Sequence, residues 1–483
     1  MQISPYHGNF AAFALILVIP FALYMFATKK PPKAAMIVCV GVMMWGPESV
    51  WIRIPSTPIL NLVNVPALGG LLGVFLFMNK AFMKARPGRG PEALMWLSLL
   101  ASLATWKTNT DVQIFGTWIQ TVLPGLTFVD GMSMGLDHVY RLMFPFLVGR
   151  IVYQNGDDLE TGLKLFVVMA LIYVFPILVE LKMSPRVHEW IYGYAASSDF
   201  LAVLRWGGYR PMVCMPNGLA LSLLMLQMLM AAAAFQRAGI RVTKRMKNKT
   251  VTAVLSVILV LCKSTGAIMY GLVFIPLILK GKLKSQLRLA TILSVIALSY
   301  PTLRAADLVP VDDILAVAES ISKDRAGSLA FRFKNEKLLG DKARERFWFG
   351  WGSYGRNSIY HDEIGKEMTI ADGYWVILLG VRGFAGFALS FGLALWPVFV
   401  ARKVVPRIEN PRDQWLLGTL SLIVAVSIFD LIPNGLFTHY HYFLSGMLYG
   451  ACKALDPKGP IQRRRRRTSR PSPAAGTPAA HRG

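Results

Sequence analysis

Three polar stretches interrupt an otherwise apolar chain, and their side chains are of the kinds that hold anions and move protons. The first contains Arg205, Arg210-Pro211 and Pro216-Asn217-Gly218-Leu219-Ala220. The second, Lys263-Ser264-Thr265-Gly266, is a short polar turn between two apolar runs. The third contains Ser328, Arg332, Arg344, Arg346, Gly350-Trp351-Gly352, His361 and Asp372-Gly373-Tyr374-Trp375. An arginine fork stays charged at any relevant pH and pairs bidentately with phosphate-type oxygens. A carboxylate or imidazole within hydrogen-bond reach of a hydroxyl serves as a general base. Farther on, Phe437-Thr438-His439-Tyr440-His441-Tyr442 offers rings to line a sugar site or to form an interfacial belt. As metal ligands, His439 and His441 lack a third partner nearer than Asp430, so no metal site is expected.

Each of these residues also has a plainer reading. Arg332 could pair with Asp324, or with Glu336 at i+4 on its own helix. Arg210 beside a proline, and Lys263 at a span boundary, could be interfacial anchors whose charges reach toward water. Arg344 and Arg346 flank Glu345 as on a solvated face, and His361 fits an ordinary loop. Asp372 could simply cap the helix that follows it.

The elements that must position these groups follow from composition. Of 483 residues 54% are hydrophobic and 16% charged, where a soluble chain carries about 25% charged residues. Apolar segments recur near 10–28, 34–45, 66–79, 91–106, 137–153, 165–182, 212–236, 251–263, 266–279, 289–301, 374–401, 415–430 and 441–453. Continuous apolar runs of this kind indicate membrane-spanning helices rather than a barrel. The expected fold is an all-α polytopic transmembrane bundle of about 12–13 spans with one large, partly helical outer loop. Residues 1–300 hold spans 1–10, residues 301–373 the loop, residues 374–455 spans 11–13, and residues 456–483 a disordered basic tail. The run from Phe10 to Phe26 lacks a basic leader and a cleavage site and reads as a retained first span. The segment 113–133 is apolar enough to be re-entrant or interfacial on the outer side.

The net charge of +25 would suggest nucleic acid if it were spread over a surface. It is not. Loops 29–33, 80–90, 154–164, 237–249, 280–288 and 402–414, with the tail from Lys453, hold 31 Lys/Arg against 6 Asp/Glu, and the rest of the chain holds 21 of each. One-sided excess of this kind is the positive-inside rule, placing the N-terminus out and the C-terminus in the cytoplasm. Arg463–Arg467 lacks interleaved aromatics and reads as an anchor to anionic lipid, with no nucleic-acid partner. The four cysteines have no metal-ligand spacing and read as small buried hydrophobes, although a Cys214–Cys262 disulfide is conceivable. Within the outer loop, Asp312 and Asp313 open one helix, and a second is expected from Ser328 to about Leu339, ended by Gly340.

Taken together, the order of these stretches resembles the O-antigen ligase and O-antigen polymerase superfamily. The shared features are Arg210 with Pro216-Asn217-Gly218-Leu219-Ala220, then Ser264-Thr265-Gly266, then Ser328…Arg332…Gly350-Trp351-Gly352…Asp372-Gly373 before a glycine-rich span, covering roughly 205–390. The resemblance implies a glycosyltransferase of the bacterial plasma membrane using an undecaprenyl-pyrophosphate-linked glycan as donor, with no cofactor and no metal. Arg210 and Arg332 match the family's pyrophosphate-binding arginines. Arg344, Arg346 and Lys263 are further pyrophosphate candidates, and Trp351, His439 and His441 candidates for glycan contact. Where the ligases place a histidine, this chain has Asp372-Gly373, which leans toward the polymerase branch. Asp372 is then the base or an acceptor-orienting group, with His361 as substitute. Expected partners are the lipid-linked donor, a glycan acceptor, the membrane, and flippase and chain-length regulator proteins. A ligase and a lipid-linked glycan transporter or accessory protein are the alternatives.

Overall fold

The structure is a computed structural model and describes residues 2–3, 9–54, 57–196, 203–321 and 323–459. The Arg463–Arg467 run lies outside them. The helices in chain order are α1 (Asn9–Thr28), α2 (Pro31–Met36), α3 (Val42–Trp45), α4 (Val65–Phe77), α5 (Asn79–Ala85), α6 (Trp96–Lys107), α7 (Phe128–His138), α8 (Phe144–Val152), α9 (Gly156–Met183), α10 (Val187–Tyr192), α11 (Gly218–Ala238), α12 (Asn248–Leu261), α13 (Thr265–Lys280), α14 (Leu283–Ala305), α15 (Val311–Ile321), α16 (Lys323–Glu345), α17 (Tyr374–Val404), α18 (Pro411–Phe429) and α19 (Tyr440–Leu455). Every expected apolar segment falls on helix. Six of these helices, α1, α9, α11, α14, α17 and α18, are long and apolar enough to cross a membrane, and the pair α4 and α5, bent by 104°, makes a seventh if counted as one broken span. The remaining apolar helices are shorter, so length alone licenses six or seven crossings rather than twelve or thirteen.

Local signals set the helix starts. Asn155 accepts from the Asp158 amide at α9, Asn217 from Leu219 and Ala220 at α11, and Thr127 forms a reciprocal capping box with Asp130 at α7. Helix α11 is apolar all round and buried almost throughout, so it is the hub, packed by α9, α12, α13 and α18. Helix α1 lies at the rim, with Phe13, Ile16, Leu17 and Phe21 exposed.

The connections sort to two ends. At one, the Tyr153 hydroxyl donates to the Pro32 carbonyl at 2.7 Å, Arg150 reaches the Ala85 carbonyl and pairs with Glu92, Gly156 backs against Asp413, and Arg237 reaches Leu279 while lying over Trp415. These contacts gather the basic loops named above. At the other end the Glu48 amide meets His188, Asn109 donates to the Gly350 carbonyl, Tyr354 donates to Asp130, and Arg332 meets Pro433. The short antiparallel sheets β1 (Gln2–Ile3), β2 (Trp51–Arg53) and β3 (Leu60–Asn61), β4 (Gln113–Phe115) with β5 (Thr121–Leu123), and β6 (Leu204–Arg205) with β7 (Gly208–Tyr209) lie at this second end.

Two expectations change, and the reading of the cysteines as small buried hydrophobes stands. Residues 113–123 form the β4–β5 hairpin rather than a re-entrant segment, with Trp118 78% exposed at its tip and its turn bonded to the carbonyls of Asp362 and Glu363. Gly340 does not end a helix. Helix α16 continues to Glu345, helped by Lys342–Glu345 and Arg344–Asp341 pairs. All four cysteines are free and buried, so Cys214 and Cys262 form no disulfide.

Candidate functional site

Arg210 follows the β6–β7 hairpin, its amide donating to the Val203 carbonyl at 2.7 Å. Its side chain lies against the first turn of α11, where a Cβ on Gly218 would come within 2.6 Å of the Arg210 Cδ. The segment between is held by Glu180 of α9, a buried carboxylate accepting the amides of Val187 (3.0 Å), Met212 (2.8 Å) and Val213 (2.7 Å). Val213 itself has φ +56°, a left-handed conformation a β-branched residue adopts only under constraint. Lys263, also left-handed at φ +53°, turns from α12 into α13 and rests its ammonium against Gly208. The first two polar stretches are therefore one cluster.

Arg210 is 7% exposed, its Nε closes no hydrogen bond, and its electrostatic neighbours are Arg205 and Cys262. Burial, with repulsion from Arg205, pulls its pKa down to about 10, so it remains charged at neutral pH. No carboxylate pairs with it among the described residues.

The second cluster joins α16 to the start of α17 and the end of α18. Arg332 Nε stands 3.4 Å from Asp372 Oδ2, and its Nη1 donates to the Pro433 carbonyl (3.2 Å) and Asn434 Oδ1 (3.4 Å). Asn434 donates to Asp430 at 3.1 Å, and the Tyr270 hydroxyl of α13 faces that same carboxylate. Asn335 accepts from the Ile370 amide at 2.9 Å, fixing the strand that delivers Asp372. A Cβ on Gly373 would lie 2.4 Å from the Ile432 carbonyl, so this close approach requires glycine. Asp372 makes no capping hydrogen bond to α17.

Arg332, Glu336 and Asp372 line a cavity of about 360 Å³ whose other walls include Ile296, Leu329 and Val376. A second cavity of about 250 Å³ lies between α14, α16 and α17, apolar at Leu298, Leu379 and Phe387 and ringed by Arg304 and Arg344. Glu336 lines both. Burial pushes its carboxyl above the ordinary range, opposed by the Tyr300 hydroxyl, the Arg304 charge and the Trp375 indole facing it. Its Oε1 is buried without a hydrogen-bond partner.

No protein-family model matches the chain, and no curated protein matches it. The likeness to the O-antigen ligase and polymerase superfamily rests on the motifs quoted above.

The remaining predicted residues are placed as follows. Arg344 pairs with Asp341. Arg346 lies over the Trp351 ring at 4.3 Å and 3.5 Å from Asp111, and Trp351 is buried, its indole donating to the Lys342 carbonyl. His361 closes a turn, accepting the Glu363 amide at 3.2 Å, and lines neither cavity. His439 and His441 are buried in the bundle, His439 bonded to the Cys39 carbonyl at 2.7 Å. Trp351, His439 and His441 are thus not brought to an open sugar-lining surface. Among the described residues no cluster of three or more metal-type ligands occurs. Sequence reasoning missed Glu180, Arg304 and the cavity position of Glu336, because only packing against distant residues reveals them. A polar residue inside an apolar run, as with Glu180, was the one signal available.

Proposed function

We propose that the chain is a membrane glycosyltransferase that polymerises undecaprenyl-pyrophosphate-linked repeat units into an envelope polysaccharide on the outer face of the bacterial plasma membrane. Arg210 carries this reading. Among the described residues no carboxylate meets this buried guanidinium, and such a charge is costly until an anion completes it. It lies at the end opposite the basic loops, where the pyrophosphate of a lipid-linked donor would arrive. The donor needs no further activation, since its pyrophosphate is already the leaving group. Fixed cations stabilise the charge that develops there as the sugar–oxygen bond breaks, and Lys263 beside Gly208 adds to the same field. Arg332, held by Asp372, Pro433 and Asn434, gives the second fixed cation at the cavity mouth.

The test is purified protein in liposomes given a lipid-pyrophosphate-linked oligosaccharide with EDTA present. A ladder of lengthened lipid-linked product is expected. Arg210→Ala and Arg332→Ala should each abolish the ladder while the protein remains folded. Full activity in both would remove the site assignment. Product on an added lipid acceptor, without a ladder, would turn the reading to a ligase.

One observation favours a transporter. Helix α17 is broken at Gly383 beside a partly buried Arg382 that sits 3.5 Å from Asp137, and transporters use broken helices with internal charge. Here, however, residues 347–352 fill the break, the amides of Trp351 and Gly352 donating to Gly380 and Val381. The irregular backbone is sealed by protein rather than opened to a pathway.

A further inference from the structure

We propose that Glu336, and not Asp372, accepts the proton from the acceptor hydroxyl, Asp372 serving to position Arg332. This rests on the glycosyltransferase reading. The geometry separates the two carboxylates. Asp372 is committed to Arg332 at 3.4 Å and is about one-third exposed. Its carboxylate is occupied by a guanidinium that a sugar hydroxyl would have to displace. Glu336 lies one helical turn beyond Arg332 on α16 and lines both this cavity and the second one. Its Oε1 is buried and closes no hydrogen bond, although the Tyr300 hydroxyl and the Trp375 indole face the carboxylate, so an acceptor hydroxyl could take up that oxygen.

The groups facing Glu336 suit the task. Tyr300 and Arg304 come from α14, and Trp375 from α17. The carboxylates of α15, Asp312, Asp313 and Glu319, are turned to solvent. Burial raises the Glu336 carboxyl above the ordinary range, the direction a general base needs, while the Tyr300 hydroxyl, the Arg304 charge and the Trp375 indole oppose that rise. In the step, the acceptor O–H bond breaks and its proton passes to Glu336 Oε1. The hydroxyl oxygen's electron pair forms the new bond to the donor's anomeric carbon. The bond from that carbon to the pyrophosphate oxygen breaks, its electron pair leaving with the lipid pyrophosphate beside the arginines. The proton on Glu336 is then lost to water.

The experiment compares wild type, Glu336→Gln, Glu336→Asp and Asp372→Asn in the liposome assay, with kcat, donor KM and pH profile for each. Glu336→Gln should lower kcat by about 100-fold or more with donor KM within about twofold, in keeping with the loss of a general base. Wild-type kcat should fall as pH drops and Glu336 is protonated, and this acid limb should vanish in Glu336→Gln. Glu336→Asp should restore part of kcat, which a misfolded protein could not do. Asp372→Asn should instead raise donor KM and keep the acid limb. A Glu336→Gln enzyme within threefold of wild-type kcat, or an acid limb lost in Asp372→Asn instead, overturns the proposal and leaves the polymerase reading standing. A wild-type protein that extends no donor overturns both.

Discussion

At the scale of single residues, the same side-chain type does different work according to what surrounds it. Arg332 is tied to a carboxylate, a carbonyl and an amide, whereas Arg210 is buried with no carboxylate against it among the described residues. Arg356, fully buried, has what Arg210 lacks, an ion pair to Asp111 at 3.1 Å, and its Nη1 donates to the Asp111 and Pro124 carbonyls, although its Nε closes no hydrogen bond. Glu180 resembles none of the acids near the cavity. It substitutes for a turn by accepting three amides. Glu180→Ala leaves those buried N–H groups without acceptors and should lower stability by roughly 2–5 kcal/mol, read from the unfolding midpoint in detergent. Glu180→Gln, which keeps acceptor oxygen, should cost less. Equal stability of Glu180→Ala and wild type would show that the Arg210 segment holds itself.

At the scale of elements, the outer loop is stitched into the bundle. Phe384 and Ala385 donate to the carbonyls of Phe347 and Trp348 across the break in α17, and Gly383 adopts φ +63°. A Cβ there would lie 2.4 Å from the Phe349 nitrogen. Gly383→Ala should therefore cost at least about 2 kcal/mol in backbone strain and release residues 343–356, seen as faster amide exchange in that segment. Unchanged exchange would place the strength of the seam elsewhere. The helices themselves were legible, because lipid forces backbone groups to pair within one apolar run. The hairpin was not. Ile114, Trp118, Ile119 and Val122 read as membrane-seeking, yet their strands pair with each other and their turn with Asp362 and Glu363. Gly340 looked like a stop because glycine favours helix ends, but the ion pairs beyond it keep α16 going. His439 and His441 looked available to sugar, while the packing of α19 on α8 and α17 swallows them. Pairing across distance, as between Arg332 and Asp372 or Glu336 and Tyr300, is what no local pattern encodes.

At the scale of the whole molecule, charge asymmetry and contact geometry agree that the basic loops share one end. On the proposed topology that end faces the cytoplasm, as the positive-inside rule expects. Because all four native cysteines are buried, introduced thiols can report this cleanly. Trp118→Cys should react with a membrane-impermeant maleimide in intact cells, and Lys84→Cys only after permeabilisation. The reverse pattern would invert the topology and put the arginine clusters on the wrong side for an outer-face donor.

The short pair α12 and α13 has a consequence for the lipid around it. At 14 and 16 residues, these helices rise only about 21 and 24 Å, against a hydrocarbon thickness of about 30 Å. On the proposed topology, with their basic ends at the cytoplasmic surface, their opposite ends would stop several ångströms below the far headgroup plane, with Lys263 at the bottom of that dip. Bilayers meet such a shortfall by thinning locally. A long-chain lipid phosphate drifting past would sink toward Arg210 as the membrane itself descends, so the shape of the surrounding bilayer would feed the site before any side chain touched its ligand.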